Sequence, residues 1–187
     1  MVNSNEAKII ILKNLKCKYL NCYNFITPII NKSNKILMSK SFKTSLYGAF
    51  YPTNIMNNFC IYEGIETKTI DNSDFLYYFY NDKLELTIRK YNINDVYYIF
   101  YFYNEKSIDV VWYSDRRKMI NIVGQIELIN KNECIFLESN DSKEISGYKE
   151  YYFNITKNEI VETIYEKGFL PDNKDYFKTS NFKKINI

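Results

Sequence analysis

Residues 75–111 contain FLYYFY (75–80), LELTIRKY (84–91), VYYIFYFY (96–103) and IDVV (108–111), separated only by short polar turns. This is the densest apolar and aromatic block of the chain, so the core must condense on it. In 84–91, Leu84, Leu86 and Ile88 alternate with Glu85, Thr87 and Arg89, the pattern of a strand buried on one face. Val96–Tyr103 differs: both of its faces are bulky and apolar or aromatic, and such a strand requires cover on both sides.

Working outward, Asn81-Asp82, Asn92–Asp95, Asn104–Lys106, Ser114–Arg117 and Asn130–Asn132 each separate two apolar runs, the spacing of an antiparallel meander. Residues 117–128 read as a long strand in which Gly124 marks a bulge or bend. Cys134–Glu138 and Tyr148–Ile155 are further strands, and Ser139–Gly147 is an exposed loop. Residues 157–167 carry two competing signals. Thr156-Lys157-Asn158-Glu159 fits a capping box, with Gly168 and Pro171 as a helix stop. Equally, Lys157-Asn158 fits a hairpin turn with Glu159–Tyr165 as the return strand, at the expense of burying Glu162.

Before the block the pattern is less regular. Ile9, Leu12, Leu15, Tyr19 and Leu20 are near helical spacing, favouring a helix within Lys8–Asn24 over a short strand at Ile9–Leu12. Pro28 and the polar run 31–35 are expected to break regular structure. Short strands are expected over 35–39, 45–51, 58–62 and 65–70. The expected fold is therefore mainly β, all-β or α+β, with an antiparallel meander of about eight strands from residue 75 onward. It carries a less regular N-terminal part and one or two short helices, and is able to curl into a barrel or sandwich. The 187 residues are expected to form a single domain, 1–187, with 1–6 frayed.

Composition sets limits on function. Hydrophobic residues make up 46% and aromatics 18%, with 19 Tyr and 13 Phe against one Trp. Tyr and Phe favour strands, and with Lys, Asn and Ile they also belong to AT-rich codons. The net charge of +3 is spread out, whereas a nucleic-acid face concentrates its Lys and Arg. The aromatics of 96–103 sit on both faces and no basic-Gly-aromatic motif accompanies them, so nucleic acid is not the expected partner. Ile9–Leu12 is too short for a signal h-region, and no apolar run is long enough for a membrane helix. With Cys17, Cys22, Cys60 and Cys134 irregularly spaced, the expectation is free thiols in the cytoplasm and no membrane association.

The chain has no histidine, which removes the commonest general base and metal ligand. Cys17 and Cys22 form C-x4-C, half of a zinc pattern without its other half. There is no phosphate-binding glycine loop. Glu85, Asp109, Glu127, Glu138 and Glu150 all fall on expected strands, but nothing in the sequence makes two of them converge. These exclusions favour a non-enzymatic, cofactor-free partner-binding protein, such as an immunity protein or phage-type inhibitor that occludes a toxin or defence effector. Its expected contacts are Tyr113, Asp115, Arg116 and Arg117 at one turn and Asp141, Lys143 and Glu144 in the 139–147 loop. The alternatives are a β-barrel binding a small apolar ligand, or a structural subunit of a phage tail or secretion assembly.

Overall fold

The computed structural model describes residues 4–40, 62–64, 74–92, 95–139, 143–156, 159–168 and 176–184. The chain starts with helix α1 (Ser4–Lys18), a 3-10 turn (Cys22–Phe25) and helix α2 (Ile26–Lys32). The strands are β1 (Lys35–Lys40), β2 (Tyr62–Gly64), β3 (Asp74–Tyr80), β4 (Lys83–Asn92), β5 (Asp95–Tyr103) and β6 (Ser107–Ser114). They continue with β7 (Met119–Leu128), β8 (Glu133–Ser139), β9 (Tyr148–Ile155), β10 (Glu159–Lys167) and β11 (Tyr176–Lys184). The expected strand at 45–51 and that at 65–70 lie outside the described residues, as does 58–62 apart from Tyr62 in β2.

All described strands join one antiparallel sheet in the order β1-β3-β4-β5-β6-β7-β8-β9-β10-β11-β2. The meander expected from residue 75 onward is present, running from β3 to β11, and β2 pairs beyond it with Phe182–Lys184. The sheet is not closed into a barrel. Closure needs the first and last strands to pair, and among the described residues no ladder links β1 to β2.

Local chemistry explains most of the elements. Leu12 and Leu15 in α1, with Tyr19 just past its end, are buried at 0%, 6% and 8% exposure, while Glu6 at the helix start and Lys16 and Lys18 at its end complement the helix dipole. The helix stops at Lys18, short of Asn24, because the chain turns there to bury Cys22 completely. Pro28 does not break structure as expected. It occupies the first turn of α2, where its missing N–H has no helical partner to lose. Asn81 and Asp82 both adopt positive φ, 49° and 59°, the left-handed pair that a tight hairpin between β3 and β4 needs.

The contest over 157–167 is resolved as a hairpin: β10 pairs with β9 from Ile160↔Ile155 to Lys167↔Tyr148. A helix there would leave an edge of β9 without its ladder, whereas the β-branched Ile160, Val161, Thr163 and Ile164 suit a strand. The bulge expected at Gly124 lies instead at Asn121, between the pairs Trp112↔Ile122 and Tyr113↔Ile120. Gly124 has a different purpose. A Cβ there would meet Phe136 Cε2 at 2.5 Å and the Leu137 carbonyl at 2.6 Å, so glycine lets β7 and β8 approach.

Both faces of β5 are covered, as its sequence requires. Phe100, with Leu86, Val111, Val123, Leu137 and Tyr148, packs under the helices. Ile99 and Tyr101 join Tyr77, Ile126, Phe136, Tyr151 and Phe153 on the opposite face.

Candidate functional site

The surface most suited to recognition is built where the helical layer crosses β5 and β6. Tyr19, the last apolar residue of the α1 stripe, stacks on Phe102 of β5 at 4.2 Å and 10°. Phe25 meets the same ring edge-on at 5.6 Å, and Tyr23 lies against Tyr113 of β6 at 6.0 Å. The fully buried Cys22 pegs the 3-10 turn between them, so neighbouring side chains must point away. Leu20, Tyr23 and Phe25 accordingly remain 63%, 49% and 46% exposed. Rings held on one side by a sheet and wet on the other lose little entropy on docking, which makes them effective anchors.

An ion-pair cluster fixes this layer. Asp109 of β6 accepts hydrogen bonds from Lys18 Nζ at 2.9 Å, Tyr19 Oη at 2.7 Å and Gln125 Nε2 at 3.0 Å. Burial works against its charge, but hydrogen bonds from Gln125, Lys18, Tyr19 and Asn104 outweigh it and hold the carboxyl below its ordinary range. Burial, together with Asp109, pushes the Tyr19 hydroxyl up to about 12, although Lys18 opposes this. Farther along α1, Lys8 pairs with Glu150 at 2.7 Å and Asn5 Oδ1 accepts from the Tyr148 hydroxyl at 2.6 Å. The helix is thus tied to β6 and β9.

The residues expected to contact a partner divide clearly. Tyr113 is only 6% exposed; it is the floor under Tyr23 rather than a surface contact. Asp115, Arg116 and Arg117 form the turn leaving β6, in which Ser114 Oγ accepts from the Arg117 N–H at 3.1 Å and Lys118 pairs with Asp115 at 2.8 Å. Arg116 and Arg117 are exposed there. Asp141 lies outside the described residues. Lys143 and Glu144 are exposed, and Ile145, only 3% exposed, anchors their loop. Lys16 of α1 donates to the Lys143 carbonyl at 3.3 Å. Each segment thus has one member against the helical layer: Tyr113 against Tyr23, and Lys143 at Lys16. Sequence reading counted Leu20 in the helical stripe and missed Tyr23 and Phe25 as surface residues, although the asparagines beside all three, Asn21 and Asn24, mark the end of the helix.

The chemistry elsewhere is limited. Cys17 is exposed and Cys22 buried, so the C-x4-C pair is split between surface and core. Burial pushes the Cys22 thiol up to about 11 and that of Cys134 up to about 12, leaving both protonated at neutral pH. Among the described residues no group of acidic or cysteine side chains is arranged to hold a metal, and no helix is long and apolar enough to cross a membrane. Of the carboxylates on strands, Glu85 binds Lys32 at 2.6 Å and Glu150 binds Lys8. Glu138 and Glu162 are buried on the opposite face, and burial pushes both up to about 7.

Searches of family models, curated proteins and solved structures find no match to this chain.

Proposed function

We propose that this is a non-enzymatic partner-binding protein that docks through the α1 to 3-10 surface, with the 115–118 turn and the 143–144 loop as its rim. The observation that carries this reading is the exposed set Leu20, Tyr23 and Phe25, in which Tyr23 lies against buried Tyr113 and Phe25 against partly buried Phe102. The two segments proposed as the rim carry Arg116, Arg117, Lys118 and Lys143 against Asp115 and Glu144, a basic excess. A partner complementary to that balance is acidic around an apolar centre. An inhibitor or immunity protein that occludes a toxin or defence effector fits this geometry, since rigid anchors and a charged rim are what occlusion uses. The sheet is open, and the side chains of Ile126, Phe136 and Phe153 fill its opposite face at 0% exposure. A ligand-filled barrel therefore has no support here.

The test is capture from lysate of the native source, followed by titration of the purified partner. Tyr23→Ala with Phe25→Ala is expected to weaken binding by about 100-fold, mainly through faster dissociation. Arg116→Glu with Arg117→Glu is expected to slow association about tenfold at low salt, with a smaller effect at high salt. A partner whose affinity is unchanged by both pairs, or the absence of any captured macromolecule, sinks the proposal.

A further inference from the structure

On the face of the sheet that carries the helices, one row of side chains crosses β6 to β9. Asp109 is opposite Gln125, Gln125 is opposite Leu137, and Leu137 is opposite Glu150. α1 runs over this row. Lys8 Nζ reaches Glu150 at 2.7 Å near the helix start, and Lys18 Nζ reaches Asp109 at 2.9 Å at its last residue. Between the two ion pairs, Leu12 and Leu15 share a core cluster with Leu137.

The spacing of the lysines matches that of the carboxylates. The ten residues from Lys8 to Lys18 rise about 15 Å along a helix. The three steps from β6 to β9 span about 14 Å at the usual separation of strands. The apolar stripe carries no such information. One helical turn advances about 5.4 Å, close to the roughly 4.8 Å between strands, and burial of Leu12, Leu15 and Tyr19 is non-directional. Apolar contact alone therefore distinguishes weakly between docked positions one turn apart. The lysines distinguish them sharply. A slip of one turn sets Lys8 against Leu137 or, on the other side of Glu150, against Tyr165. It also takes Lys18 off Asp109, whose side chain is only 2% exposed, and a buried carboxylate parted from its cation is strongly disfavoured.

We propose that Lys8 and Lys18 are positioning residues that fix the register of α1 across the strands and thereby place the docking surface. In this register Tyr19 stacks on Phe102, and the 3-10 turn follows with Tyr23 on Tyr113 and Phe25 on Phe102. A slip of one turn carries these rings about one strand away from their seats. Partly exposed ion pairs add little to the strength of docking; what they add is the choice between registers. Lys32 repeats the arrangement for α2, reaching Glu85 of β4 at 2.6 Å. The consequence for partner binding rests on the function proposed above, whereas the register of α1 does not.

NMR of the full chain tests the register through nuclear Overhauser contacts between the Tyr19 and Phe102 rings. Lys8→Glu sets a like charge against Glu150, and Lys18→Gln removes the charge that faces Asp109. Each is expected to raise about tenfold the population of a folded form in which Tyr19 no longer meets Phe102. Lys8→Glu combined with Glu150→Lys exchanges the charges of the pair and is expected to return the wild-type contacts. The wild-type chain gives a second readout that no variant can compromise: between about 0.01 M and about 1 M salt, which screens the pairs, the same slipped form should grow. The proposal is overturned if every folded variant keeps the Tyr19–Phe102 contact and merely unfolds at lower urea, if the exchanged pair fails to restore that contact, or if salt leaves it unchanged. All of these readouts come from the free chain, so a negative result leaves the docking function standing, and failure to capture a partner leaves the register standing.

Discussion

At the scale of single residues, the buried carboxyls have opposite fates because their partners differ. Asp109 receives several donors that hold its carboxyl below its ordinary range, while burial outweighs the partners of Glu138 and Glu162 and moves both up to about 7. Asp109→Asn keeps the volume but removes charge-assisted hydrogen bonds and should destabilise the fold by about 2–3 kcal/mol, measured by urea unfolding. Gly124→Ala is a second case. Its Cβ meets a backbone oxygen as well as the Phe136 ring, so one neighbour cannot rotate away, and the same assay should show a loss of about 2 kcal/mol or more. Asp109 was readable as a carboxylate on a strand, but not as the fastening point of α1, since Lys18 and Tyr19 lie some 90 residues earlier in the chain. Glu162 was readable as the awkward residue of a hairpin; its burial, at 5% exposure, depends on the pairing of β10 with β9.

Elements were legible where the period was clean. The strands from β3 to β9 follow alternation and turn residues, and α1 follows the 3–4 spacing of Leu12, Leu15 and Tyr19. Leu12→Ala should therefore uncouple the helical layer at about 3 kcal/mol, visible as a lower urea midpoint. The β3–β4 turn offers a gain in place of a loss. Asp82 sits at φ 59°, where glycine is free of strain, so Asp82→Gly should raise stability by about 0.5–1 kcal/mol in thermal unfolding, less the entropy that glycine adds to the unfolded chain. Where two local signals balanced, at 157–167, the open edge of β9 decided. Where proline suggested a break, the first turn of α2 accommodated it.

For the whole molecule, the carboxyls set a pH window. Asp109 has a lowered value, so its stabilisation is present above the unfolded value near 3.8 and is lost as pH falls through the folded one. Glu138 and Glu162 have raised values: their contribution is complete below the unfolded value near 4.5 and is lost as pH rises through about 7. Each shift corresponds to about 3 kcal/mol, and the two are coupled. Stability should therefore peak on the acidic side of neutrality and decline toward pH 9, with Glu138→Gln and Glu162→Gln together flattening the alkaline limb in urea titrations. By itself, the sequence determined a strand-rich meander, its turns, a helix before it and a strand needing cover on both faces, because these follow from periods of two and 3.6 residues and from turn chemistry. The failure of the sheet to close into a barrel, the docking of the helices on one face, the seating of Tyr23 on Tyr113 and of Phe25 on Phe102, and the burial of Glu138 and Glu162 were decided by tertiary structure. Each depends on register and on contacts between residues far apart in the chain, and local pattern carries no information about either.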